Sequence, residues 1–157
     1  MTGVQTCALP IPARLLKETR EFVGSGKGAD PAKAELFQHA LATARANLLR
    51  AWQAGVPLVM GTDSGNPMVF HGPSLHREFE LWVEAGIPVT VALQAATVNA
   101  AKLLGADKRI GAIRAGLDAD LLLVDGNPLQ EIAATGRISL VVFKGERIRR
   151  AGLFEQK

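Results

Sequence analysis

Asp63 is the residue whose type and setting best suit chemistry. It follows the apolar run Val56-Pro57-Leu58-Val59-Met60 and stands inside Gly61-Thr62-Asp63-Ser64-Gly65-Asn66-Pro67. The flanking glycines let a ligand approach the backbone closely. A carboxylate just past the carboxyl end of a buried strand occupies the place where α/β barrels and open α/β sheets keep their reactive groups. There it can bind a divalent metal and accept the proton of a metal-bound water. Taken without context, it is also an ordinary Asx-turn or helix-cap aspartate. Ser64 does not make a serine hydrolase, because a nucleophile elbow needs serine at the centre of G-x-S-x-G and the centre here is Asp63.

Three histidines accompany it: His39, His71 and His76. His71 lies in the loop after Asp63, where it is either a substrate ligand or proton carrier of the same pocket or plain polar surface. His71 and His76 would stand about 140° apart on a helix, so they share no face. His39 and His76 read as structural or solvent-facing. The cluster Gly24-Ser25-Gly26-Lys27-Gly28 invites a phosphate-loop reading. However, Glu21 stands where the first glycine is required and Gly28 where Ser or Thr should hold magnesium. A surface loop fits better.

The elements that must position these groups follow from apolar spacing. A short charged helix is expected over Pro12–Phe22. Asp30-Pro31 then starts a long helix, with Asp as N-cap and Pro at the first position. Phe37, Leu41, Ala44, Leu48 and Trp52 form its apolar stripe, and Gly55 stops it. Val56–Met60, apolar without alternation, suits a strand buried on both faces in a parallel sheet. Ser74 can cap the next helix, which turns Leu75, Phe79, Trp82 and Val83 inward and closes at Gly86. A further alanine-rich helix covers Val89–Leu104. Beyond Arg109 the short runs Ala119–Val124, Leu140–Phe143 and Glu146–Arg149, with a Lys144-Gly145 turn, predict a small β-rich module. The order helix, strand, loop, helix is that of an α/β protein.

Composition narrows the field. Apolar residues make up 48% of the 157 and charged residues 21%, the balance of a globular chain and not of a disordered one. No apolar run is long enough for a membrane span. The single Cys7 excludes an internal disulfide framework and a cysteine-based zinc cluster. The net charge of +3 gathers near the end, in Arg147, Arg149, Arg150 and Lys157. Without tyrosine or an aromatic-interleaved basic face, no nucleic-acid partner is expected. Met1–Ile11 carries no charge and no periodicity. It resembles the in-frame translation of a sequencing-library adaptor, which implies that the native frame begins upstream.

The stretch AGVPLVMGTDSGNPMVFHGPSLHREFELWVEAGIPVTVALQAATVNAAKLLG, Ala54 to Gly105, resembles the last barrel strand and following helices of metal-dependent amidohydrolases. Its flavour is that of the imidazolonepropionase-like and prolidase-like branch. IGAIRAGLDADLLLVDGNPL (Ile110–Leu129) and VVFKGERI (Val141–Ile148) resemble the small β-sandwich of that superfamily. The resemblance implies the C-terminal part of a distorted TIM barrel over residues 12–109, and part of a β-sandwich over 110–157. It also implies one or two divalent metals, usually zinc, and hydrolysis of amide, lactam, amidine or dipeptide C–N bonds in small molecules. Asp63 would be the metal ligand and catalytic base, and His71 the histidine beside the substrate. Ser64 and Asn66 would be further substrate contacts, with Thr62 and Gly65 at the rim. Glu78 and Asp120 match positions taken as structural. Pro88-Val89-Thr90-Val91 departs from the Thr-Pro-x-Glu that relatives often carry, which alters a helix cap and leaves the chemistry alone.

The other metal ligands of that family, an H-x-H and later histidines, have no match in this chain and are expected upstream of Pro12. The isolated chain is therefore expected to be inactive, cytoplasmic and prone to homo-oligomeric association through uncovered apolar faces. Two rivals stand beside this reading. One is a binding module whose basic C-terminal hairpin meets an acidic partner or nucleic acid; the other is a structural relative without metal.

Overall fold

The computed structural model describes residues 17–18, 20–21, 31–66 and 69–149. Residues 1–11, the glycine cluster at 24–28, the Asp30 cap, Arg150 and Lys157 lie outside them. Of the expected first helix, Lys17 and Glu21 are helical and form an i,i+4 ion pair at 3.8 Å.

Helix α1 (Pro31–Gln53) ends at Gly55, whose φ of 77° is open to a residue without a Cβ. Only the C-terminal half of its apolar stripe is used. Leu48, Leu49 and Trp52 pack on the core, whereas Phe37 is 69% exposed and Leu41 45%. The expected strand at Val56–Met60 does not form. A strand exists through its ladder, and no other strand lies beside this run among the described residues. Its polar groups turn to helices instead. The Met60 N–H donates to the Ala95 carbonyl at 3.2 Å, and Asn99 Nδ2 donates to the Leu58 carbonyl at 3.0 Å.

Helix α2 (Pro73–Glu84) begins with proline at its first position, where no N–H is needed. Ser74 is not its cap. Gly72 flanks the helix, and Ser74 Oγ accepts the Phe70 N–H at 2.8 Å, so the serine fastens the entering loop. Phe79 and Trp82 are buried, with Leu75 and Val83 partly so, as the apolar spacing predicts. The expected single helix over Val89–Leu104 is two, α3 (Val89–Ala96) and α4 (Val98–Leu103). Thr97 breaks it at φ −125° and ψ −93°, its Oγ1 donating to the Leu93 carbonyl at 2.7 Å. Such back-bonding by threonine bends helices. Gly111 packs into the break: a Cβ there would lie 2.6 Å from the Ala101 Cβ and 3.2 Å from the Thr97 oxygen.

Strands β1 (Leu121–Val124), β2 (Ile138–Phe143) and β3 (Glu146–Ile148) form an antiparallel sheet in chain order, with Leu122 opposite Val141 and Val142 opposite Arg147. Lys144 (φ 51°) and Gly145 (φ 83°) make the two-residue hairpin turn, the left-handed geometry that suits right-twisted strands. Asp120 serves this turn structurally, its Oδ1 accepting the Lys144 N–H at 2.7 Å. A 3-10 helix at Ile132–Gly136, which no periodicity announced, carries Ile132 into the core of Met60, Phe79, Trp82, Ile87, Ala92 and Ala95.

His76 joins α2 to that 3-10 helix. Thr135 Oγ1 donates to the Ile132 carbonyl at 2.8 Å and therefore accepts from His76 Nδ1–H at 3.1 Å. Burial pushes the His76 pKa below its ordinary 6.5, against an opposing pull from Glu80. A folded pKa below the unfolded one means that the unfolded chain binds the proton more readily. Stability is thus full above 6.5 and declines as pH falls through that value toward the folded pKa. His76→Gln keeps a donor for Thr135 and does not titrate. The urea midpoint of the wild type should fall relative to that of His76→Gln between about pH 7.5 and about pH 5.5. A constant difference across that range would sink the burial argument.

Candidate active-site turn

The turn after Met60 is held from within. Asp63 adopts a left-handed φ of 52°, a conformation that Asp and Asn tolerate better than other side-chain-bearing residues. Asn66 Nδ2 donates both to the Asp63 carbonyl at 3.1 Å and to its Oδ2 at 2.8 Å, fixing backbone and carboxylate together. Thr62 and Ser64 share a hydroxyl–hydroxyl bond of 2.6 Å. The Gly65 N–H donates to Val69 and the Val69 N–H to Asn66, closing the loop. The helix-cap alternative for Asp63 does not apply, since the next helix starts at Pro73 with Gly72 flanking it. What results is an exposed carboxylate in a defined orientation, suited to receive a proton or to fill one position around a cation.

The residues marked by sequence are distributed unevenly around it. Thr62, Ser64 and Asn66 share the turn with Asp63, and Asn66 is tied to it directly. His71 is exposed on the turn that leads into α2. His39 is exposed on α1, and His76 belongs to the contact with the 3-10 helix. Among the described residues, no group of three or more His, Cys, Asp or Glu side chains converges where a metal could sit. Asp63 can supply one ligand of a divalent metal, and the described residues do not supply the rest.

Glu78 matters more than the sequence suggested. It lies on α2 one helical turn before Trp82. Its Oε2 is sealed from solvent without a partner. Burial pushes this carboxyl above the ordinary glutamate range, against a partial pull downward from the Gly61 backbone and the Trp82 indole. The i,i+4 spacing of Glu78 and Trp82 is visible in sequence. The sealing of Oε2 is not, because it depends on how other segments pack over α2.

The comparisons with known proteins agree with one another. A model of the amidohydrolase family matches residues 5–148, a span that starts inside the adaptor-like segment and includes the basic hairpin. An imidazolonepropionase of Shouchella clausii is 34% identical over 121 residues, covering 74% of this chain and 27% of that protein. A guanine deaminase of Escherichia coli is 33% identical over 100 residues, covering 60% of this chain and 23% of that protein. The solved structure of a Xaa-Pro dipeptidase with bound methionine superposes with a TM-score of 0.66 at 31% identity, covering 84% of this chain and 33% of that one. These likenesses imply an α/β fold of the TIM-barrel type. The chain spans about a quarter of the length of the curated relatives it matches. With the family match running through both the Asp63 turn and the β hairpin, the chain belongs to the amidohydrolase family.

Proposed function

We propose that this chain carries the reactive carboxylate turn of a metal-dependent hydrolase that cleaves C–N bonds in small amides, lactams, amidines or dipeptides. The observation that carries the reading is Asp63: an exposed carboxylate, clamped by Asn66, at the end of an apolar run in a chain of the amidohydrolase family. In this reading Val56–Met60, which has no ladder partner among the described residues, is the last strand of the complete barrel, α1 and α2 flank it, and residues 110–157 belong to a β-sandwich beside the barrel. Enzymes of this family generally use divalent metals. Such a metal, zinc in this proposal, supplies Lewis acidity and lowers the pKa of a water.

The chain's own residues do the rest. Asp63 would hold one position on the metal and, as a base, would take the proton from the attacking water and pass it to the leaving nitrogen. Asn66 keeps the carboxylate aimed by holding Oδ2. His71, Ser64 and Asn66 contact the substrate. Because the described residues offer one ligand and a catalytic zinc needs about three from protein, the 157-residue chain alone is inactive in this reading.

The test uses the product of the uninterrupted reading frame that contains this sequence, loaded with zinc. It is assayed for amine or ammonia release from a Xaa-Pro dipeptide, an imidazolone-type lactam and an amino-substituted purine. Expected is turnover of at least one of them, lost on chelation and restored by metal, with none from the 157-residue chain. Absence of release from all three, or release that chelation leaves untouched, overturns the reading.

A further inference from the structure

We infer that the free edge of β1 is a docking edge for a second copy of this chain: two β1 strands join antiparallel about a twofold axis at Leu122, making one continuous sheet from the two three-stranded ones. The inference stands apart from the reading of Asp63.

The edge is open and undefended. β1 is the outer strand of the sheet, and no strand lies on its other side among the described residues. The carbonyls of Ala119 and Leu123 face the β2–β3 side, where they accept the Gly145 N–H at 3.0 Å and the Ser139 hydroxyl at 3.3 Å. Backbone polar groups alternate in direction along a strand, so those of Leu122 point to the open edge. An N–H and a C=O presented in that way call for another strand and not for a small apolar molecule. Strand edges are usually blunted by charge or shortness. β1 is Leu-Leu-Leu-Val with no charge in it, whereas β3 at the opposite edge is three residues long and carries Glu146 and Arg147. The surroundings of the open edge are apolar too. Leu122 is 59% exposed, and it borders a groove walled by Leu104 and Ile113, which are 75% and 90% exposed.

The strand suits its own copy. With Leu122 opposite Leu122 of the second copy, the two residues exchange both N–H···O=C bonds, Leu121 meets Leu123, and Asp120 meets Val124. Asp120 and Asp125 flank the strand, yet in this register no two like charges stand opposite each other. Pairing β1 with β1 also closes after two copies, while pairing β1 with β3 would run on without end and set leucines against charged residues. The exposed stripe of α1, at Leu36 and Phe37, is the rival face. A helix satisfies its own backbone, so nothing there fixes the register of a partner.

Sedimentation equilibrium and amide hydrogen exchange of the 157-residue chain test the inference. The chain should be dimeric at about 100 μM and dissociate on dilution. Leu122→Lys and Leu122→Glu each set like charges face to face at the axis and should weaken the dimer about tenfold or more. An equimolar mixture of the two variants should restore association to within about threefold of wild type. Phe37→Lys should leave it unchanged. Exchange of the Leu122 N–H should slow as concentration rises, while the Leu121 N–H, which faces β2, is unmoved. That measurement needs no substitution, so it decides the matter even where a variant fails to fold. A monomer at about 100 μM, a dimer that Phe37→Lys breaks and Leu122→Lys does not, or exchange at Leu122 that ignores concentration overturns the inference. A product of the uninterrupted reading frame whose Leu122 N–H is protected at every dilution does so as well, because that chain then covers the edge with a strand of its own.

Discussion

If the proposed reading of Asp63 holds, Asp63→Asn in the zinc-loaded enzyme should lower kcat/KM by about 10³-fold, the middle of the range for removing a positioned proton carrier. The substitution is informative because the turn gives it little to disturb. Asparagine adopts the left-handed φ of 52° as readily as aspartate, and its Oδ1 can still accept from Asn66 Nδ2. The negative charge and the basicity are lost, and with the charge the strength of Asp63 as a metal ligand. If Asp63 were merely a turn residue, Asn would be close to neutral in both stability and rate, and full activity in the variant would dismiss it from the chemistry. The urea midpoint of the 157-residue chain provides the control. It should move by less than about 0.5 kcal/mol of stability, as for other exposed positions. A rate loss accompanied by a large fall in stability would point to a damaged turn and not to a missing base.

How much of this could be read from residues depends on how local the determining interactions are. The hairpin is local: Lys144-Gly145 between two apolar runs sets the turn, and β2 and β3 follow within two or three residues of expectation. Asp63 was legible for a similar reason, since Gly61-Thr62-Asp63-Ser64-Gly65 after an apolar run marks both a turn and an exposed acid. Val56–Met60 has no ladder among the described residues because an apolar run reports burial, while strand formation depends on a neighbour that no local pattern contains. Thr97 broke a helix that the alanine spacing carried straight through. The cause is a side-chain bond to Leu93 together with the close packing of Gly111, a residue of another segment. Glu78 shows the same limit in the site. Its helix and its i,i+4 neighbour were readable, but the sealing of its Oε2 depends on tertiary placement.

Trp82→Ala should have the largest effect on stability, about 4 kcal/mol within the range for aromatic truncation in a core. Trp82 is 9% exposed and packs in the cluster that joins Met60 from the apolar run, Ile87 after α2, Ala92 and Ala95 of α3, and Ile132 of the 3-10 helix. Its removal opens a cavity where these segments meet, and helices fixed at their ends collapse only partly into such a space. A loss of that size is a large share of the roughly 5–15 kcal/mol available to a domain, and it should lower Tm by about 10 °C or more. Phe37→Ala is the counterpart. Phe37 also lies on an apolar stripe, yet at 69% exposure its truncation should change stability by less than about 0.5 kcal/mol. Trp82→Phe separates packing from hydrogen bonding, because it retains much of the volume and drops the indole N–H. If packing dominates, Phe recovers most of the loss. A phenylalanine variant as unstable as the alanine one would instead place the decisive interaction at the indole N–H.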